Sequence, residues 1–135
     1  VADLLAGRDG DTLLDGVQWD WRERWFDGAN LILPFEVANF ASAMRTAAAQ
    51  ILVQRDGPAL QPGPRRYTRS WIRDGAIMAA ALLRVGERDA ALGFVRWYAG
   101  FQADDGRVPC CVDRSGPDWL VEHDSHGEFV WIVLE

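Results

Sequence analysis

Cysteine is scarce in this chain. Its 135 residues hold two, and they are neighbours, Cys110-Cys111. Adjacent cysteines make poor disulfide partners, because a trans peptide resists the separation and dihedral that the bond needs. No Cys/His spacing typical of a metal site accompanies them, so no metal is expected and the pair reads as two small, part-buried hydrophobes. Long apolar runs are also missing: none approaches the roughly 20 residues of a membrane span. Val1-Ala-Asp-Leu-Leu-Ala-Gly-Arg-Asp-Gly10 has no basic start followed by an apolar segment, so no signal peptide is visible there. Basic side chains are outnumbered 14 to 20, giving a net charge of −6 and a pI near 4.8. That balance lacks the basic footprint of a nucleic-acid binder. Neither a nucleic-acid nor a membrane partner is expected, and no cofactor.

What is present fits one domain of ordinary size. Hydrophobic residues make up 49% of the chain, enough for a sizeable core and too many for global disorder. Seven tryptophans stand out. Trp71 and Trp119 differ from the rest because both fall in loops beside charged residues. Residues 1–34 show little periodicity and read as an irregular N-terminal arm. A helix is expected over 35–55, where Val37, Phe40, Ala41, Met44, Ala47, Ala48, Ile51 and Leu52 recur at helical spacing and Asp56-Gly57-Pro58 closes it. The Pro/Gly-rich stretch 57–70 is a long loop. A second helix over 74–85 is apolar nearly all round, with Asp74 as N-cap and Gly86 as stop. A third runs over 87–102, and the short link makes the two an antiparallel hairpin. Residues 107–112 are extended and can pair as a short strand, 113–117 turn, and Ser125-His-Gly-Glu128 matches a capping box ahead of a fourth apolar helix.

Two regularities turn this series into an architecture. Amphipathic helices (first and third) alternate with helices apolar all round (second and fourth), as two concentric layers require. The apolar helices also open alike, Ile-Arg-Asp74-Gly and Glu-His-Asp124-Ser-His-Gly, with the aspartates 50 positions apart. A repeat of that size indicates an array of helical hairpins whose inner helices all begin around one mouth. The chain stops at Glu135 inside an apolar helix, so it reads as part of a larger assembly whose remaining hairpins, or self-association, cover its apolar faces.

Taken in order, Tyr67-Thr-Arg-Ser-Trp-Ile-Arg-Asp-Gly75, Phe94-Val-Arg-Trp97, Gln102-Ala-Asp-Asp-Gly106 and His123-Asp-Ser-His-Gly-Glu-Phe129 resemble the six-hairpin, (α/α)6-barrel glycosidases, closest to the glucoamylase-like group. The resemblance spans about residues 30–135. It implies an all-α fold: antiparallel hairpins forming part of an (α/α)6 toroid over 35–135, preceded by the arm 1–34. It also implies a saccharide substrate. The Arg-Asp pair, here Arg73 and Asp74, would bond hydroxyls of the terminal sugar at the barrel mouth, with His123 and Asp124 bordering the same site. Trp71 and Trp119 are candidates to cover apolar sugar faces. The family's general acid and base are glutamates on later hairpins, which would fall beyond residue 135. Hydrolysis needs two carboxylates flanking the bond, so this chain alone is expected to bind without cleaving.

Plainer readings stand beside these. Arg73-Asp74 can be a helix cap plus a structural ion pair, and Asp124 a cap or solvated loop residue. His123 and His126 can be surface or core histidines, Glu128 the capping-box glutamate, and Arg65, Arg66 and Arg69 a solvated loop face. For the whole protein, the alternative to a glycoside hydrolase-like enzyme is a non-catalytic saccharide-binding or scaffold module. A helical repeat that binds protein is a third reading.

Overall fold

The computed structural model describes residues 38–63 and 67–135; the arm 1–34, Arg65 and Arg66 lie outside them. The chain divides into two compact units, Val1–Ala41 and Ser42–Glu135. The first falls almost wholly outside the described residues, and the features that position the site belong to the second.

Four helices and one small sheet make up the described chain. In order they are α1 (Ala38–Gln54), β1 (Ser70–Trp71), α2 (Ile72–Arg84), α3 (Arg88–Ala99), β2 (Cys111–Asp113), β3 (Gly116–Asp118) and α4 (Asp124–Leu134). All four expected helices are there. The all-α expectation was too narrow, because the three strands form an antiparallel sheet in the order β1-β2-β3. Gly116-Pro117, expected only to turn, forms the edge strand. An edge tolerates proline, because its missing N–H faces no neighbour. The hairpin turns through Arg114 and Ser115, and Gly116 directly after them has a φ of +113°, which suits glycine.

The link from α2 to α3 is a Schellman closure. Glu87 N–H donates to Leu82 O at 2.9 Å and Gly86 N–H to Leu83 O at 3.2 Å, with Gly86 at φ +88°. α3 therefore doubles back on α2. Phe94 and Tyr98 are fully buried between the helices, and the Phe94 ring lies over Gly75, where an added Cβ would sit 2.2 Å from it. Truncating such a ring typically costs about 3–5 kcal/mol. Tyr98 also meets Phe129 of α4 (centroids 6.1 Å apart) and donates its hydroxyl to Pro109 O at 3.0 Å.

α4 lies along the other flank of α2, in the same direction. Arg73 meets Asp124 at the two N-terminal ends, and Arg84 meets Glu135 at the two C-terminal ends. Ile72, Ala76, Ala79, Ala80 and Leu82 are buried on α2, and Phe129 and Ile132 on α4. Neither helix is enclosed all round as expected. Ile77, Val130, Val133 and Leu134 are each more than half exposed. On α1, Ala48 and Leu52 are buried as the stripe predicts, whereas Ala47 is exposed.

Candidate functional site

The sheet determines where α2 begins. Ser70 pairs with Val112 and Trp71 with Cys111. Ile72 N–H donates to Cys110 O at 3.1 Å, and the buried Ser70 hydroxyl donates to Leu60 O at 2.6 Å. These bonds hold Trp71 extended (φ −82°, ψ 134°) as the residue before the helix. The expected cap is thereby displaced: Asp74 lies in the first turn, not at the N-cap, and is half-buried. A carboxylate there still suits the positive end of the helix dipole.

From Asp118 on β3 the chain passes through exposed Trp119, Leu120 and Val121 to Glu122. α4 then starts at Asp124, preceded by His123. The expected capping box does not form. Ser125 lies one residue inside the helix, no side chain caps its start, and the buried Ser125 hydroxyl has no protein partner. His126 instead accepts the Val108 N–H at its Nε2, at 3.4 Å.

Because β2 and β3 join the two entrances, the N-terminal ends of α2 and α4 come together. Arg73 Nη1 donates to Asp124 Oδ2 at 2.5 Å, and Arg73 Nη2 lies 3.4 Å from Glu122 Oε2. All three side chains remain partly open to solvent. Asp124, then Glu122, raise the guanidinium above its ordinary value, and Asp74 adds to that field. The structure thus joins two residues singled out from the sequence, Arg73 and Asp124. Glu122 was missed, although a carboxylate two positions before Asp124 in Glu-His-Asp was its signal.

The remaining candidates sit around these three. Trp71 is half-buried at the α2 entrance, and His123 is exposed at the α4 entrance. Trp119 is 40% exposed, and the Arg107 guanidinium lies 5.5 Å from its ring centroid, so one face already carries a cation. Arg107 is itself held by Asp105 at 2.8 Å.

Arg69 corrects a further expectation. It is no free loop residue: it lies 3.3 Å from Asp113, donates to Asp118 Oδ2 at 2.8 Å, and reaches Cys111 Sγ at 3.5 Å. The N–H of Leu120, and then Arg69, hold the Asp118 carboxyl below the usual carboxylate range. Burial pushes the Cys111 thiol up to about 12 and raises Cys110 as well.

A polar cavity of about 460 Å³ is lined by Arg55, Asp56, Gln61, Thr68, Asp113 and Arg114, among others. A second of about 280 Å³ shares several of those residues and adds Trp97 and Phe101. The five shared residues, Asp56, Gln61, Thr68, Asp113 and Arg114, make the two adjoining parts of one groove, and Trp97 and Phe101 line only the smaller part. Neither a protein-family model, nor a curated protein, nor a solved structure matches this chain.

Proposed function

We propose that the joined entrances of α2 and α4 form part of the sugar-binding mouth of a glycoside hydrolase-like, glucoamylase-like protein of the (α/α)6-barrel kind. The observation that carries this reading is the Arg73 guanidinium shared by Glu122 and Asp124 where two parallel helices begin. A planar five-donor fork beside carboxylate acceptors matches vicinal sugar hydroxyls, which both donate and accept. The two helix dipoles direct partial positive charge at the same place.

Two further features support the toroid. α2 and α4 run parallel one repeat apart, with α3 antiparallel to α2, as inner and outer helices of successive hairpins would. The exposed Ile77, Val130, Val133 and Leu134 give further hairpins an apolar surface to pack on. A closed six-hairpin barrel needs more helices than the four described, so in this reading the cleaving acid and base belong to other hairpins. Glu122 and Asp124, both engaged with Arg73, act as binders.

The test is a crystal of the protein soaked with glucose or an iminosugar. Ligand density against Arg73 and Asp124 supports the proposal; ligand bound elsewhere, with Arg73 untouched, contradicts it. The groove favours a second reading, a non-catalytic saccharide-binding module. Its lining pairs Arg114 with Asp56 at 3.3 Å and includes the aromatic rings of Trp97 and Phe101. In that case Trp97→Ala abolishes sugar binding and Arg73→Met leaves it intact.

A further inference from the structure

Neighbouring side chains on an extended strand point to opposite faces, so two adjacent cysteines should hold their sulfurs apart. Here Cys110 Sγ and Cys111 Sγ lie 3.8 Å apart. Cys110 sits just ahead of β2, where the backbone is not yet regular strand, and its side chain turns toward that of Cys111. A tetrahedral zinc ion with bonds of about 2.3 Å to each of two thiolates spaces them by about 3.8 Å. A third donor arrives from the next strand. The register pairs Cys111 with Asp118, and the ligand atoms of Cys110, Cys111 and Asp118 all lie within 4.8 Å of one another.

We propose that Cys110, Cys111 and Asp118 bind one soft divalent cation of the zinc and cadmium kind. Thiolate donors select such ions over magnesium or calcium. The surroundings already orient the donors. Arg69 donates to Asp118 Oδ2 at 2.8 Å and reaches Cys111 Sγ at 3.5 Å, Leu120 N–H donates to Asp118 Oδ1 at 3.0 Å, and Cys110 N–H donates to Asp118 O at 3.2 Å. Outer contacts of this type fix ligand geometry. Charge closes as well: binding releases both thiol protons, and two thiolates and a carboxylate are neutralised by Arg69 and a divalent ion. Both cysteine residues are 1% exposed, but Asp118 keeps 39% of its side chain open and supplies the way in. Three protein ligands leave one position of a tetrahedral ion free. Cysteine and histidine spacing could not reveal the site, because its third ligand is an aspartate brought over by a strand pairing.

The test uses the whole chain, reduced with a phosphine and stripped of metal. Cadmium is titrated while the ultraviolet thiolate-to-metal charge-transfer band is followed, and zinc stoichiometry is measured by equilibrium dialysis. One equivalent per chain with a saturating band is expected. Cys110→Ala and Cys111→Ala should each abolish the band, and Asp118→Asn should weaken affinity at least tenfold while keeping it. Alkylation of the two thiols in the unaltered chain serves if a variant misfolds: zinc should slow it at least tenfold, and magnesium should not. No saturable one-equivalent binding, an unchanged affinity in Asp118→Asn, or alkylation indifferent to zinc overturns the proposal.

Discussion

Arg84 Nη2 donates to Glu135 Oε2 at 3.0 Å across a separation of 51 residues, the same separation that divides Arg73 from Asp124. One pair closes the C-terminal ends of α2 and α4 and the other their N-terminal ends, so the two helices run parallel in matched register. The matching openings Arg-Asp74-Gly and His-Asp124-Ser reflect that register in the sequence.

Both pairs are part-exposed, so their structural worth is small. A double-mutant cycle on Arg84 and Glu135 should give a coupling of about 0.2–1 kcal/mol. The same cycle on Arg73 and Asp124 should also stay under about 1 kcal/mol in urea unfolding, while each single variant weakens sugar binding at least tenfold. A larger structural coupling at Arg73 would make that pair a staple, not a binding site.

Gly75 is fixed by packing. Alanine is the better helix former by about 1 kcal/mol, yet its Cβ would meet the Phe94 ring at 2.2 Å. Overpacking of that kind costs about 1–3 kcal/mol. Gly75→Ala should therefore lower the unfolding midpoint, and Phe94→Leu should cost less in that background than in the unaltered chain.

Ser125 separates two accounts of the α4 start. A capping serine loses about 1 kcal/mol on change to alanine. A buried hydroxyl without a partner loses nothing and can gain. Thermal unfolding of Ser125→Ala should show an equal or higher Tm, and Glu128→Ala should be near neutral.

The Asp105 carboxyl is held below its ordinary value, first by the Arg107 backbone N–H and then by the Arg107 side chain. A depressed carboxyl contributes stability that is present above its unfolded value, near pH 4, and is lost as pH falls through the lower folded value. Acid should therefore loosen this turn only below about pH 4, and release Arg107 from Trp119. Amide and indole N–H chemical shifts over pH 2–6 follow both events, and Asp105→Asn should remove the transition.

Helix number and order were legible because periodicity and the Gly86 stop are local signals. Helix starts were less so. The sequence rules place caps at Asp74 and Ser125, but pairing of Trp71 with Cys111 begins α2 at Ile72, and α4 begins at Asp124. β3 was hidden because Gly116-Pro117 signals a break, and only its edge position makes Pro117 tolerable. The repeat aligned Asp74 with Asp124 and the resemblance singled out Arg73, but only the fold shows that Arg73 meets Asp124. Glu122 and the ties of Arg69 depend on which loops meet, which no local pattern encodes.

The most direct measurement is titration of the protein with a non-reducing-end monosaccharide and an iminosugar by calorimetry, for the unaltered chain, Arg73→Met and Trp97→Ala. The account predicts saturable binding that Arg73→Met weakens at least tenfold and Trp97→Ala leaves unchanged. Binding that survives Arg73→Met, or no binding by the unaltered chain, would contradict it.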